Sequence, residues 1–227
     1  MKSGKHPITA SNFIMKRLLL TLTAFILVLT LAGAGWYLSK YNPAAKSSRT
    51  AVTHKSNKVL LRLKTKAAEI VSFAKRNGYN TEVCFMADMN IASGRDRFFI
   101  YNPLNDSVLY TGLVTHGRCN ENWLTGRKYG NKVGCGCTSL GKYKIGAAYR
   151  GRFGLAYKLH GLDSTNNNAF KRYVVLHSHE CVPEQEQDPY PICQSDGCPT
   201  VSPGFLKILS GIIDASKKPV LLCIYDE

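Results

Sequence analysis

No carboxylate occurs before Glu69. Residues 1–58 hold nine Lys/Arg and no acid, and residues 59–227 hold 21 basic and 15 acidic residues. Much of the formal charge of +15 therefore belongs to the start of the chain. The rest carries about +6 by subtraction, which argues against a nucleic-acid surface as the main partner. Internal repeats and low-complexity blocks are also lacking, which excludes a repeat architecture. Familiar structural zinc spacings are absent: Cys135-x-Cys137 is tighter than the usual Cys-x₂-Cys, and His177-x-His179 has no matching partner pair. No metal is expected. With 227 residues the chain accommodates one well-buried domain and an anchor, not two large domains.

What is present at the start is apolar. Leu18 to Leu38 runs without a charge, follows Lys16-Arg17, and ends near Trp36 and Tyr37. At about 1.5 Å per residue this run crosses a bilayer core, and the flanking aromatics suit an interface. It reads either as an uncleaved transmembrane anchor or as a secretory signal. Ala32-Gly33-Ala34 supplies small residues for cleavage, and Met15 is an alternative start. Residues 1–17 are then a basic lead and 39–57 a polar, basic linker. Both readings place the bulk of the chain at, or across, a membrane.

Residues 58–227 carry the expected domain. Val59, Leu63, Ala67, Ile70 and Ala74 recur at helical spacing, so a helix is predicted over 58–77, stopped by Gly78. Short strand-like runs follow: 82–89, 97–102 and 107–116, the last two around a turn at 103–106. Further runs are 142–149, 154–162 and 173–179. A helix is predicted over 202–216, with Ser202 as cap and Pro203 at its first position, and 219–225 reads as a buried strand. Short strands separated by Gly-rich turns predict a mainly β sandwich with a few helices.

Eight cysteines behind an export segment predict disulfides. If one thiol must stay free for chemistry, seven remain and at least one more is unpaired. Cys181 and Cys193 enclose a short loop, and bridging them would stiffen it. That loop also holds Glu180, Glu184, Glu186 and Asp188, which read either as an attraction for an ammonium group or as a solvated face. Cys198 stands between Gly197 and Pro199, a turn in which the cysteine amide is a candidate oxyanion donor. His177 ends the apolar run 173–176, a rigid platform for a base. Taken singly, a Gly-Cys-Pro turn is often only a turn, and a strand-end histidine often only a surface one.

Together these residues resemble the YkuD-type L,D-transpeptidase catalytic domain. Its pattern of His followed by Gly or Ser, then Ser-x-Gly-Cys, is matched by His177-Ser178 and Ser195-Asp196-Gly197-Cys198. A branch with Gly-Cys-Pro is matched further by His116-Gly117, by Ser139-Leu140-Gly141-Lys142-Tyr143-Lys144-Ile145-Gly146 and by Gly161-Leu162-Asp163. The resemblance covers roughly residues 95–227. It implies a YkuD-like β-sandwich and a cysteine acyltransferase of the cell envelope, acting on peptidoglycan stem peptides without a metal or organic cofactor. Cys198 would be the nucleophile, His177 the base, and the Ser178 carbonyl the group that orients the ring. Water as acceptor would instead make an L,D-carboxypeptidase, and a module that binds peptidoglycan without turnover is the non-enzymatic alternative. Many members carry Arg after the nucleophile. Pro199 stands there, so Arg172 is considered as a substitute for gripping substrate. Ser195, Asp196, Tyr157 and His160 are further candidates for the substrate groove, although Tyr157 and His160 also fit a core or solvent position.

Overall fold

The computed structural model describes the backbone of residues 10–41 and 57–226, and the side chains of 17–33 and 58–226. The chain divides into two units, Met1–His54 and Lys55–Glu227. The first contains helix α1 (Ala10–Tyr41). Within it the hydroxyls of Thr21, Thr23 and Thr30 bond back to the carbonyls of Leu18, Leu20 and Leu27, which satisfies their polarity inside the helix. The expected span over 18–38 falls on α1, but only the side chains up to 33 are described. Among the described residues no helix is long and apolar enough to cross a membrane. Residues 1–9 and 42–56, most of the expected basic lead and linker, lie outside the described residues.

The second unit begins with α2 (Asn57–Asn77). Strands β1 (Cys84–Asp88), β2 (Phe98–Asn102) and β3 (Ser107–Gly112) form a meander. Next come the long hairpin β4 (Gly141–Gly151) and β5 (Gly154–Gly161), then β6 (Val175–Ser178) and the two-residue β7 (Thr200–Val201). Helix α3 (Pro203–Ala215) and β8 (Leu221–Tyr225) close the unit. Strands dominate and helices are few, as the sequence predicts. The two separate sheets of a sandwich are not seen in the pairing. All eight strands join one sheet in the order β3-β2-β1-β8-β4-β5-β6-β7. The physical reason is β8: it pairs parallel with β1 on one side and antiparallel with β4 on the other, and so joins the meander to the hairpin.

Alternation along these strands feeds two cores. Phe85, Ala87, Leu222, Ile224, Tyr143 and Ile145 turn to one face, where Phe205, Leu206 and Leu209 of α3 cover them. Cys84, Met86, Leu221, Cys223 and Tyr225 turn to the other, where Leu63, Ala67, Ile70 and Ala74 of α2 cover them. Those four are among the five α2 positions that the helical spacing singles out; the fifth, Val59, is partly buried against the same cluster. Arg62 of α2 donates at 2.7 Å to the fully buried carboxylate of Asp88, pinning the helix to the end of β1. Ser202 caps α3, its hydroxyl accepting from the Phe205 amide at 3.2 Å.

Four of the eight cysteines are paired, as Cys119–Cys137 and Cys181–Cys193. The second is the pair expected from the sequence. The first is not, because the fold rather than the spacing brings those residues together. Cys84, Cys135, Cys198 and Cys223 are free thiols.

Leu209 is fully buried under the sheet, whereas Ile208, one residue earlier, is 37% exposed. Leu209→Ala is expected to cost about 2–5 kcal/mol through the cavity it leaves. Ile208→Ala is expected to cost well under half of that. Urea unfolding of the two variants checks the contrast, and equal costs would contradict this packing of α3.

Candidate active site

Strand β6 presents His177 beside β7 in parallel register, His177 opposite Thr200 and Ser178 opposite Val201. On its other side His177 faces Ala156 of β5. The turn that carries Cys198 leads directly into β7. His177 and Cys198 are therefore brought to one edge of the sheet by a two-residue strand.

Hydroxyls hold the turn. Ser195 Oγ accepts from the Gly197 amide at 3.1 Å and donates to the Cys198 carbonyl at 2.7 Å. Thr115 Oγ1 accepts from the Thr200 amide at 3.1 Å and donates to the same carbonyl at 3.2 Å. Both lone pairs of that carbonyl are thus engaged. The Cys198 amide meets no acceptor among the described residues and is available as an oxyanion donor. Gly197 has φ +112°, and an added Cβ would lie 2.6 Å from the Cys137 carbonyl. Only glycine meets both conditions. Thr115 is fixed in turn by its neighbours. The buried Arg97 donates to the Val114 carbonyl at 2.7 Å and reaches Nδ1 of His116 at 3.1 Å, and the His116 carbonyl accepts from the Ser195 amide at 2.9 Å.

His177 Nδ1 lies 3.0 Å from the Ser178 carbonyl. A carbonyl only accepts, so in the neutral ring the proton sits on Nδ1 and Nε2 is bare. Nε2 lies 3.1 Å from Thr200 Oγ1. Phe153, at the tip of the β4–β5 hairpin, stacks on the imidazole at 4.9 Å and 19°. Cys198 Sγ points at the Tyr173 carbonyl, 3.9 Å away. Among the described residues no hydrogen bond joins Cys198 to His177. Burial lowers the His177 pKa, the Ser178 carbonyl raises it back in part, and His179 lowers it again. Burial raises the Cys198 pKa against the opposing pull of a backbone bond at Val175 and the charge of Arg172, and Asp196 raises it further. Both effects favour a neutral thiol beside a neutral imidazole at rest.

The other candidates divide. Ser178 lies at the His177 ring, and Ser195 and Gly197 lie in the turn of Cys198. Asp196 projects into solvent and pairs with Arg118 at 2.8 Å. Arg172 does not extend as a free grip for substrate. Its guanidinium donates to the Gly130 carbonyl at 2.9 Å, to Ser139 Oγ and to the Cys137 carbonyl, so it ties the 130–139 loop beneath the turn. Tyr157 does not line a groove: it is 1% exposed in the core, because its strand turns odd-numbered side chains inward, and its hydroxyl donates to Asp214 at 3.0 Å. His160 shares the face of Ala156 but lies four residues along β5, roughly 13 Å away at strand rise. It stacks on Phe170 instead.

Two of the four acids of the 179–194 loop have structural partners. Glu184 accepts from Ser202 Oγ at 2.6 Å and from the Gly204 amide at 2.7 Å, and Glu186 accepts from the Asp96 amide at 2.8 Å. Among the described residues no group of three or more His, Cys, Asp or Glu is placed to hold a metal ion. Thr115, Thr200, Tyr173 and Phe153 escape the sequence reading. A hydroxyl two residues after the nucleophile was a usable signal for Thr200. Nothing local marks Tyr173, whose φ of +57° is rare for a bulky residue.

Against known proteins, the family model described as the L,D-transpeptidase catalytic domain matches residues 51–225. The chain has no match among curated proteins. Solved structures similar to it include the "Ldtfm-avibactam carbamoyl enzyme" (14% identity, 64% of this chain, 49% of that one, TM-score 0.38). Others are the helical cell shape determining protein Pgp2 from Campylobacter jejuni (11%, 64%, 48%, TM-score 0.40) and an L,D-transpeptidase from Xylanimonas cellulosilytica (15%, 68%, 68%, TM-score 0.36). The chain spans about half the length of the first two.

Burial, with the positive charge of Arg97 and Arg127, lowers the His116 pKa from 6.5 to about 4, and that of His177 is lowered too. Their contribution to stability is complete above the unfolded value and is lost as pH falls through the folded values. The urea midpoint is expected to fall between pH 6.5 and about 4, and His116→Gln to flatten that slope. A midpoint that stays level in the parent protein over this range contradicts the assignment.

Proposed function

The chain belongs to the L,D-transpeptidase catalytic-domain family, and we propose that it is a cysteine acyltransferase acting on peptidoglycan stem peptides. The carrying observation is the bond from His177 Nδ1 to the Ser178 carbonyl at 3.0 Å, which leaves Nε2 bare on the side of the nucleophile turn. In this reading Cys198 attacks the carbonyl of the diaminopimelate residue at position three of a stem tetrapeptide. Its thiol proton passes to His177, and the Cys198 amide receives the developing oxyanion. The terminal D-Ala leaves as an amine, taking a proton from the imidazolium, and a thioester remains on Cys198. An acceptor amine resolves that thioester and completes the transfer; water in its place gives hydrolysis.

The Gly-Cys-Pro branch is supported by where its other segments fall. Gly117 bridges to Ser195 within the nucleophile turn. The Ser139 hydroxyl donates to the Gly130 carbonyl at 2.7 Å and receives Arg172. Asp163 accepts from the Lys142 amide at 2.6 Å and from its ammonium, tying Gly161-Leu162-Asp163 to the start of β4. Membrane anchorage or export through residues 18–38 belongs to the same proposal and puts the catalytic unit outside the cytoplasmic membrane, where the polymer is.

Incubation with a stem tetrapeptide is expected to release D-Ala and, with an amine acceptor, to give a cross-linked product by mass spectrometry. Cys198→Ala is expected to abolish D-Ala release and the intact-mass adduct with a carbapenem. An adduct that persists in Cys198→Ala removes Cys198 as the nucleophile. Absence of D-Ala release from the parent protein would sink the enzymatic reading.

A further inference from the structure

We infer that the Thr200 hydroxyl is the positioning partner of the His177 base, capping Nε2 as a donor while the ring is neutral and as an acceptor once it is protonated. The inference rests on the reading of Cys198 and His177 as nucleophile and base.

Three observations lead to it. The Ser178 carbonyl fixes the proton of the neutral ring on Nδ1, so the group 3.1 Å from Nε2 must donate, and Thr200 Oγ1 is that group. At rest the Thr200 hydrogen is better directed to Nε2 than to the Cys198 carbonyl, which already accepts from Ser195 and Thr115 at 2.7 and 3.2 Å. The hydroxyl also has an alternative acceptor in that same carbonyl, at the longer distance of 3.4 Å. Thr200 is 3% exposed and His177 6%, so water is a poor substitute at this position. The hydroxyl cannot drift away, since the Thr200 backbone is bonded to Thr115 at both its amide and its carbonyl.

At rest the thiol faces the Tyr173 carbonyl and the hydroxyl fills the Nε2 lone pair. On activation the hydroxyl turns its hydrogen away from Nε2, toward the Cys198 carbonyl where it is a third and longer donor at 3.4 Å, and vacates the Nε2 lone pair. Cys198 swings over; the S–H bond breaks, its electron pair stays on sulfur, and a new N–H bond forms at Nε2. In the ion pair Nε2–H is shared between the sulfur and Thr200 Oγ1; after the thiolate has added to a substrate carbonyl, sulfur no longer accepts from Nε2–H. Thr200 Oγ1 then accepts from it until the leaving amine takes the proton. A hydrogen bond from a cation is the stronger of the two, so the hydroxyl favours the imidazolium and hence the thiolate.

Other groups around the pair are His179, which follows β6, and Arg152, which lies over Phe153 on the hairpin. Arg172 and Asp196 act on the sulfur. All of them stay in place when Thr200 is changed, so a shift in the profile reports the hydroxyl.

The test is the pH dependence of Cys198 alkylation by iodoacetamide in the full-length protein, followed on the Cys198 peptide by mass spectrometry. Thr200→Val is expected to slow alkylation at pH 7 about tenfold and to move the midpoint of the profile up by about 1 pH unit. Thr200→Ser is expected to stay within about threefold of the parent protein. A Thr200→Val profile that superimposes on the parent's overturns the inference, and so does a Ser variant as impaired as Val. If circular dichroism shows that Thr200→Val does not fold, Thr200→Ala is judged by the same criteria. No substrate is used, so a parent protein that releases no D-Ala counts against the proposed reaction, while the alkylation profile still decides the role of Thr200.

Discussion

The parallel pairing of β6 with β7 is the constraint on which the site depends. It spans two residue pairs, His177 with Thr200 and Ser178 with Val201. Through it one rigid strand supplies the imidazole and the carbonyl that orients it. The neighbouring strand supplies the hydroxyl at Nε2 and the exit of the nucleophile turn. Two ladder positions are little by themselves. They hold because Thr115 bonds Thr200 on the far side, and because buried Arg97 fixes the segment that carries Thr115.

Loops that would otherwise wander are tied at several points. Disulfide Cys119–Cys137 and the Arg172 guanidinium secure the 130–139 loop, whose Cys137 carbonyl packs against Gly197. Disulfide Cys181–Cys193 and the Glu184 cap of α3 secure the loop between base and nucleophile. Glu184 and Glu186 of that loop satisfy amides and a hydroxyl. The same close packing favours the neutral thiol and the neutral imidazole, since burial disfavours the charge on each.

Where local pattern decides structure, sequence and structure agree closely. The α2 face, the α3 cap at Ser202 and the buried closing strand are fixed by side-chain periodicity and by a hydroxyl at a helix start. Strand β7 was not legible, because two residues carry no period. The single sheet was not legible either, since it depends on β8 entering between β1 and β4, a long-range choice. Tyr157 and His160 adjoin on one strand-like run, and alternation sends the first into the core. The sequence marks the run but not which side of it faces the core.

By itself the sequence determined the chemical types: a cysteine in a glycine turn, a histidine followed by a residue whose carbonyl can orient it, and a short loop closed by two cysteines. These follow from covalent order and need no partner from elsewhere in the chain. Only the tertiary structure decided which groups meet. It set Arg172 under the turn, paired Cys119 with Cys137, capped His177 with Thr200, and aimed Cys198 at the Tyr173 carbonyl. Each of those contacts joins segments brought together by sheet pairing or loop packing, and hydrogen bonds form between groups that are neighbours in space, whatever their distance along the chain.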